Sequence, residues 1–327
     1  MCSKRKSLRE TLMTVDVFQD HLVRARASGG VFARSVACPP WGLRLAGTIQ
    51  LAVHAVMQGS GWLWAGDPRS PVELAPGDIA LVRGGPDHHI AHAPGATCQE
   101  HHEFRVRHED DDHGDPAASV FLCGAYQFSG DVGRGLLDAL PPVLSLSTSP
   151  GDSLRDLIAV LSRELAATAP GHQTVLDRLL DAVLVLAIRA GLQRSDTAPR
   201  WYQALADPRL SPALQAIHQD PARPWTVPEL AAVSGLSRAT LARLFPRVLG
   251  QSPMQYLTDW RMTLARDLLR TDGNATLAQV ARHTGYASPF AFAAAFRRHH
   301  GQPPGQWRRH QAPMPASRTG YAEPHPV

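Results

Sequence analysis

T-V-P-E-L-A-A-V-S-G-L-S-R-A-T-L-A-R-L-F fills Thr226–Phe245, and T-L-A-Q-V-A-R-H-T-G-Y-A-S-P-F-A-F-A-A-A-F fills Thr276–Phe296. Thr226 and Thr276 lie 50 residues apart, as do Gly235 and Gly285, while Phe245 and Phe296, Gly250 and Gly301, and Pro253 and Pro304 lie 51 apart. A period of this size marks one supersecondary unit used twice, with one residue inserted after the glycine of the second copy. Thr226-x-x-Glu229 and Thr276-x-x-Gln279 read as capping boxes that start a helix. Gly235 and Gly285 supply a turn with positive φ. Ser237 and Ser288 then cap a second helix, with Pro289 at its first position, where a missing N–H costs nothing. Two short helices joined by a glycine turn, the second presented outward, make a helix-turn-helix. Pro253–Arg270, carrying Met254, Leu257, Trp260, Met262, Leu264 and Leu268, is predicted as one long helix that braces both copies.

Charge follows the repeat. Residues 208–310 hold thirteen Arg, no Lys and five acidic residues, a net +8, whereas the rest of the chain has 20 basic against 24 acidic residues, a net −4. A basic module joined to a mildly acidic one is the electrostatic footprint of nucleic-acid binding with a separate partner domain. No apolar run reaches membrane-spanning length, and the basic start, Met1–Glu10, has no hydrophobic segment behind it, so a cytoplasmic protein is expected. The four cysteines, Cys2, Cys38, Cys98 and Cys123, show no C-x-x-C spacing and read as free thiols.

Upstream of the repeat the period changes to two. Val31–Ala37, Ile49–Met57, Gly61–Trp64, Val72–Leu74, Ile79–Val82 and Val120–Phe128 are short β-rich runs punctuated by Gly and Pro, the pattern of a sandwich or small barrel. His88, His89 and His92 read as part of a polar loop, and Glu109–Asp112 as a solvated one. From Leu136 the chain turns helical, with helices predicted over Leu154–Thr168 and Gln173–Leu192. The wide apolar face of the second needs a partner surface, its own β-domain or a second subunit. The domains so read are 12–150, a β-rich regulatory domain; 151–195, a helical dimerisation segment; 196–207, a linker; 208–310, the all-α double helix-turn-helix; and 311–327, a disordered tail. The fold class is multidomain α+β.

Leu51-Ala-Val-His-Ala-Val-Met-Gln-Gly-Ser-Gly-Trp-Leu-Trp64, followed by Glu73-Leu-Ala-Pro-Gly-Asp78 and His88, resembles a cupin-type β-barrel. The metal signature of catalytic cupins is mostly missing. Val56 stands where a second ligand would follow His54, and Met57-Gln58-Gly59 holds no glutamate. Further on, Ala281-Arg-His-Thr-Gly-Tyr286, Phe292, Phe296-Arg297-Arg298, Gly301, Pro304 and Trp307-Arg308 resemble the end of the AraC/XylS family of transcription regulators. Pro40–Arg44 and Leu136–Val143 are similar to the cupin-type regulatory half of one branch of that family, so the resemblance spans nearly the whole chain.

That resemblance implies a sequence-specific regulator of double-stranded DNA, an activator with RNA polymerase as a further partner. It also implies a homodimer controlled by a small-molecule effector or by dimerisation through the N-terminal barrel. In such proteins the two recognition helices enter adjacent major grooves. Carried over, the first helix offers Arg238, Ala239, Thr240, Ala242, Arg243 and Arg247, with Arg243 the prime candidate because guanidinium bonds guanine O6 and N7 bidentately. The second offers Ser288, Pro289, Phe290, Ala293 and Ala294, none suited to a directional bond with a base edge, backed by Arg297 and Arg298, which suit phosphates. The first unit is therefore expected to specify and the second to hold. Pro246 is expected to disturb the first recognition helix beyond Phe245. His54, Trp62, Trp64 and His88 are the candidate effector residues. No cofactor, catalytic residue or metal is assigned, although His88, His92 and Cys123 are of metal-ligating type. The competing reading is a cupin-type metal-dependent enzyme, or a metal or redox sensor, fused to a DNA-binding domain.

Overall fold

The computed structural model describes residues 16–25, 28–100, 118–128, 130–165, 169–195, 198–271 and 274–310. The acidic run Glu109–Asp112, His101, His102, the basic start Met1–Glu10 and the expected tail 311–327 lie outside the described residues. The described chain falls into two compact units, Asp16–Asp207 and the residues from Pro208 onward.

In the first unit α1 (Val17–Ala25) leads into β1 (Ser28–Ala37), β2 (Gly42–Leu45), β3 (Leu51–Gln58), β4 (Gly61–Ala65), β5 (Val72–Leu74), β6 (Ile79–Arg83), β7 (His88–Ala91), β8 (Gln99–Glu100) and β9 (Ser119–Gln127). Next come α2 (Gly130–Asp138), β10 (Val143–Leu146), α3 (Ser153–Leu165), α4 (His172–Arg194) and α5 (Arg200–Leu205). The strands make two five-stranded sheets, β1-β9-β3-β6-β10 and β5-β4-β7-β2-β8. The closed barrel that the cupin resemblance implies is not formed, since among the described residues no ladder joins the sheets; the sandwich that the strand pattern equally allowed is formed instead. Period-two alternation gives each strand an inner and an outer face but is the same for a barrel and for two facing sheets, so it could not separate them. The expected histidine loop is also corrected, since His88 and His89 sit on β7.

Leu43, Leu45, Leu63, Leu74 and Ile90 of one sheet meet Ala52, Val56, Ala80, Val82, Phe121 and Cys123 of the other in a shared core. β3 is buried along both faces, its outer one included, because helices cover that side of its sheet. Tyr126 on β9 is fully buried and donates its hydroxyl to the Leu180 carbonyl of α4 at 2.8 Å. The apolar face of α4 (Leu176, Leu180, Val183, Leu184, Ala187, Ile188) is thus buried within its own unit. The stretch read as a linker holds α5, where Trp201 stacks on His21 with centroids 3.8 Å apart and Tyr202 meets Phe18 edge-on.

The second unit is helical: α6 (Ser211–Gln219), α7 (Val227–Val233), α8 (Arg238–Leu249), α9 (Pro253–Thr271), α10 (Leu277–His283), α11 (Pro289–His300) and α12 (Pro304–His310). α9 packs on α7 and α8 at one end and on α10 and α12 at the other. Met262, Ala265 and Leu269 of α9 join Val280, Ala281, Phe292, Phe296 and Trp307 in one core. No helix among the described residues is long and apolar enough to cross a membrane.

Candidate nucleic-acid interface

Both capping boxes close. Thr226 Oγ1 accepts from the Glu229 N–H at 3.4 Å while the Thr226 N–H donates to Glu229 Oε2 at 2.9 Å. The second copy repeats the pair at 3.2 and 2.8 Å with Gln279. Gly235 and Gly285 turn with φ of 64° and 75°. Ser237 and Ser288 then accept from the N–H groups of Thr240 and Ala291, each at 3.1 Å, and start α8 and α11. Phe245 and Phe296 close the two copies at zero exposure.

On α8, Leu241, Leu244, Phe245 and Leu249 point inward. Arg238, Ala239, Ala242, Arg243 and Arg247 are exposed, so the structure brings the sequence candidates onto the outer side of one helix. Thr240 is different: it is half-buried and its hydroxyl is hydrogen-bonded to Ser237 Oγ at 2.8 Å, so it serves the cap. The helix runs through the half-buried Pro246 to Leu249, and Gly250, at φ 76°, closes it by donating to the Pro246 carbonyl. The missing proline N–H leaves the carbonyl of the exposed Ala242 to solvent, which lowers the cost of a proline inside the helix.

On α11, Phe292, Ala295 and Phe296 point inward, and Phe290, Ala294, Arg297 and Arg298 are exposed. Ser288, Pro289 and Ala293 are half-buried. Ala291, absent from the sequence candidates, is exposed on the same first turn; only its place beside the inward Phe292 could have flagged it. Among the described residues no side-chain hydrogen bond or ion pair engages Arg238, Arg243, Arg247, Arg297 or Arg298. Some other arginines of the unit are structural. Arg223 pairs with Glu229 at 3.0 Å, and Arg308 donates to the Ala275 carbonyl at 2.6 Å.

A junction invisible in the sequence ties the two copies. Arg261, on α9, donates to the carbonyls of Pro221 and Arg223 at 2.7 and 2.8 Å, and its guanidinium faces the Tyr286 ring at 5.9 Å. Burial pulls the Arg261 pKa below the usual arginine range and pushes that of Tyr286 up. Gly285 lies so close to the same loop that a Cβ there would stand 2.3 Å from the Ala222 carbonyl oxygen, whereas a Cβ on Gly235 would meet nothing within 4 Å.

The first unit separates the four effector candidates. His54 and His88 face inward between the sheets, where His54 is fully buried. Its Nδ1 lies 2.8 Å from Cys123 Sγ, its cross-strand neighbour on β9, and its Nε2 lies 2.9 Å from His88 Nε2. Desolvation lowers the His88 pKa to about 4 and pushes the Cys123 thiol well above its ordinary range, so both are neutral at pH 7. One imidazole touches its two partners through opposite ring nitrogens, which is the geometry of a hydrogen-bonded chain; a single ion cannot bind both nitrogens of one ring. His92, the third candidate of ligating type, stands apart: its Nδ1 lies 2.7 Å from the Trp41 carbonyl oxygen. Trp64 and Trp62 alternate with the inward Leu63 and so lie on the outer side of β4. There Trp64 stacks on His89 at 5.2 Å beside an open cleft of about 350 Å³ also lined by Arg44 and Cys98.

Comparison with known proteins covers both units. A family model described as Cupin matches residues 16–193, and one described as Helix-turn-helix domain matches residues 230–310. A putative AraC-like transcription regulator of Streptomyces lividans is 33% identical over 90% of this chain and 99% of its own. A second, from Streptomyces antibioticus, is 32% identical over 92% of this chain and 100% of its own. Among solved structures, a transcriptional regulator from Chromobacterium violaceum with an AraC-type DNA-binding domain is 28% identical, covering 33% of this chain and 95% of that one, with a TM-score of 0.31.

Proposed function

Since the chain belongs to the AraC-type transcription regulators, we propose that its two helix-turn-helix units divide the recognition of double-stranded DNA into reading and holding. The observation that carries this is Arg243, exposed and unengaged on α8. The equivalent position of α11 is Ala294, counting back from the paired Phe245 and Phe296. A guanidinium there reaches guanine O6 and N7, and Arg238 and Arg247 flank it for bases or phosphates. Arg297 and Arg298 follow the apolar turns of α11 and neutralise phosphates, which positions the protein without specifying sequence. The first helix-turn-helix supplies most hydrogen-bonded specificity and the second mainly affinity.

The protein acts in the cytoplasm as an activator that contacts RNA polymerase, and the cupin-type half controls it. A small-molecule effector bound in that half shifts the population between DNA-competent and incompetent arrangements. It works as a homodimer. With most of α4 buried on its own sheet, dimerisation falls to the outer side of α3 and α4, where Val160 and Val175 are exposed. The chain is a regulator and not an enzyme: its matched relatives are regulators, and His54 spends both ring nitrogens on Cys123 and His88.

The test is selection of bound sequences from random DNA by the full-length protein, with and without candidate metabolites. Wild type is expected to enrich one motif, and Arg243→Ala to relax it at guanine positions. No enrichment by wild type would sink the regulator reading. Unchanged preference in Arg243→Ala would sink the division of labour.

A further inference from the structure

Phe290 is 87% exposed, the most exposed large hydrophobic side chain among the described residues. It occupies the second position of α11, immediately after Ser288 and Pro289. An aromatic ring left in water at that place sacrifices roughly the transfer free energy of a buried side chain unless something covers it.

The surroundings restrict what that something is. The Ser288 hydroxyl accepts the Ala291 N–H, so it belongs to the cap. Pro289 has no N–H to give. Ala291 and Ala294, the other exposed positions of the first two turns, end in methyl groups. The first side chain on this face able to form a directional polar contact is Arg297, beyond the second turn. A helix that enters a major groove with this face cannot hydrogen-bond base edges with its leading side chains. The major-groove edges of the four base pairs offer one apolar group, the C5-methyl of thymine. Arg297 and Arg298, exposed and held by no side-chain hydrogen bond or ion pair among the described residues, match the phosphates that flank such a groove.

We propose that Phe290 makes the second helix-turn-helix unit a reader of pyrimidine C5-methyl groups, packing its ring on the methyl of a thymine, or of a 5-methylcytosine, in the major groove. The inference rests on the DNA-binding reading above and deepens it, giving the second unit one base-discriminating contact beside its phosphate contacts. It differs from the contact of Arg243 in kind: it responds to a methyl group and is indifferent to the Watson–Crick pattern of the base that carries it.

The experiment uses full-length protein and the DNA motif it selects. Each thymine is replaced singly by deoxyuridine, which removes the methyl and leaves every hydrogen-bonding group unchanged. Wild type is expected to bind about fourfold more weakly wherever Phe290 contacts a methyl, the effect of about one buried methylene. Phe290→Ala is expected to bind thymine and uracil forms alike at that position. At the same position 5-methylcytosine should be bound more tightly than cytosine by wild type and no differently by the variant. Because Phe290 is exposed, the variant should melt with wild type, which a thermal scan verifies. Equal binding of thymine and uracil at every position overturns the inference. So does a Phe290→Ala protein that still discriminates them, or one that binds DNA like wild type but loses RNA polymerase-dependent transcription, which would make the ring a protein-docking contact. If no motif is selected at all, the regulator reading falls and this inference with it. A selected motif indifferent to the methyl removes this inference alone.

Discussion

Thr226 and Thr276 close their capping boxes with the same hydrogen bonds, and Phe245 and Phe296 are equally buried, yet Arg243 and its counterpart Ala294 share only their exposure. The same contrast recurs one turn earlier, where Ala239 in the first copy faces Phe290 in the second. The two copies share their caps, turn glycines and closing phenylalanines, and their side-chain chemistry parts most on the side turned to solvent. Duplication of a scaffold does not imply duplication of its chemistry, because caps, turns and core positions answer to the chain itself while outward positions answer to the ligand.

The two turn glycines offer the sharpest way to break this symmetry. Gly285→Ala drives a Cβ into the Ala222 carbonyl and adds left-handed strain, and should cost about 3–4 kcal/mol in urea unfolding of the DNA-binding unit. Gly235→Ala meets open space and should cost only about 1 kcal/mol. Equal losses would mean that the second copy is not wedged against the loop as described. Next in size, Arg243→Ala should lose about 1–3 kcal/mol on the selected motif and little on scrambled DNA, compared by fluorescence anisotropy at one salt concentration. A uniform loss on both would make Arg243 a phosphate contact and erase the distinction between the units. Thr226→Ala and Thr276→Ala should each cost about 1 kcal/mol in the same unfolding assay. A difference much larger than that between them would show that the scaffold itself has diverged. The smallest effect belongs to Arg298→Ala, which should lower the slope of log affinity against log salt by about one, alike on motif and scrambled DNA. A change confined to the motif would promote Arg298 to a reader.

The repeat made much of the second unit legible. Capping boxes, turn glycines and helix starts are local devices, and local devices are written in consecutive residues. The outward positions of α8 and α11 could be counted from the same frame. Arg261 could not: one of thirteen arginines between 208 and 310, it looks in sequence like any charge on a long helix, and only the fold puts it against three carbonyls of a loop about 40 residues away. In the first unit the strand runs were legible but the histidines on β7 were not. His88 and His89 follow Gly84-Gly-Pro86 and look like loop, while their strand exists because it pairs with β2 and β4. The neighbourhood of His54 and Cys123 likewise depends on a register set between strands 69 residues apart. Trp62 and Trp64 stand among the same candidates as His54 and His88, and a pleat sends them to the opposite side of their sheet.

The anchorage of Arg261 to Pro221, Ala222 and Arg223, with Gly285 pressed on the same loop, has a consequence for the DNA as well as for the protein. If those contacts hold the two recognition helices at one spacing, the pair works as a caliper. Such an instrument forgives a changed letter more readily than a changed distance. One base pair inserted between the two contacted stretches displaces the far one by about 3.4 Å along the duplex and turns it by about a tenth of a helical turn. A caliper that cannot follow that displacement would give the operator a length to keep as well as a spelling, so the insertion is expected to weaken binding even where every contacted base is retained.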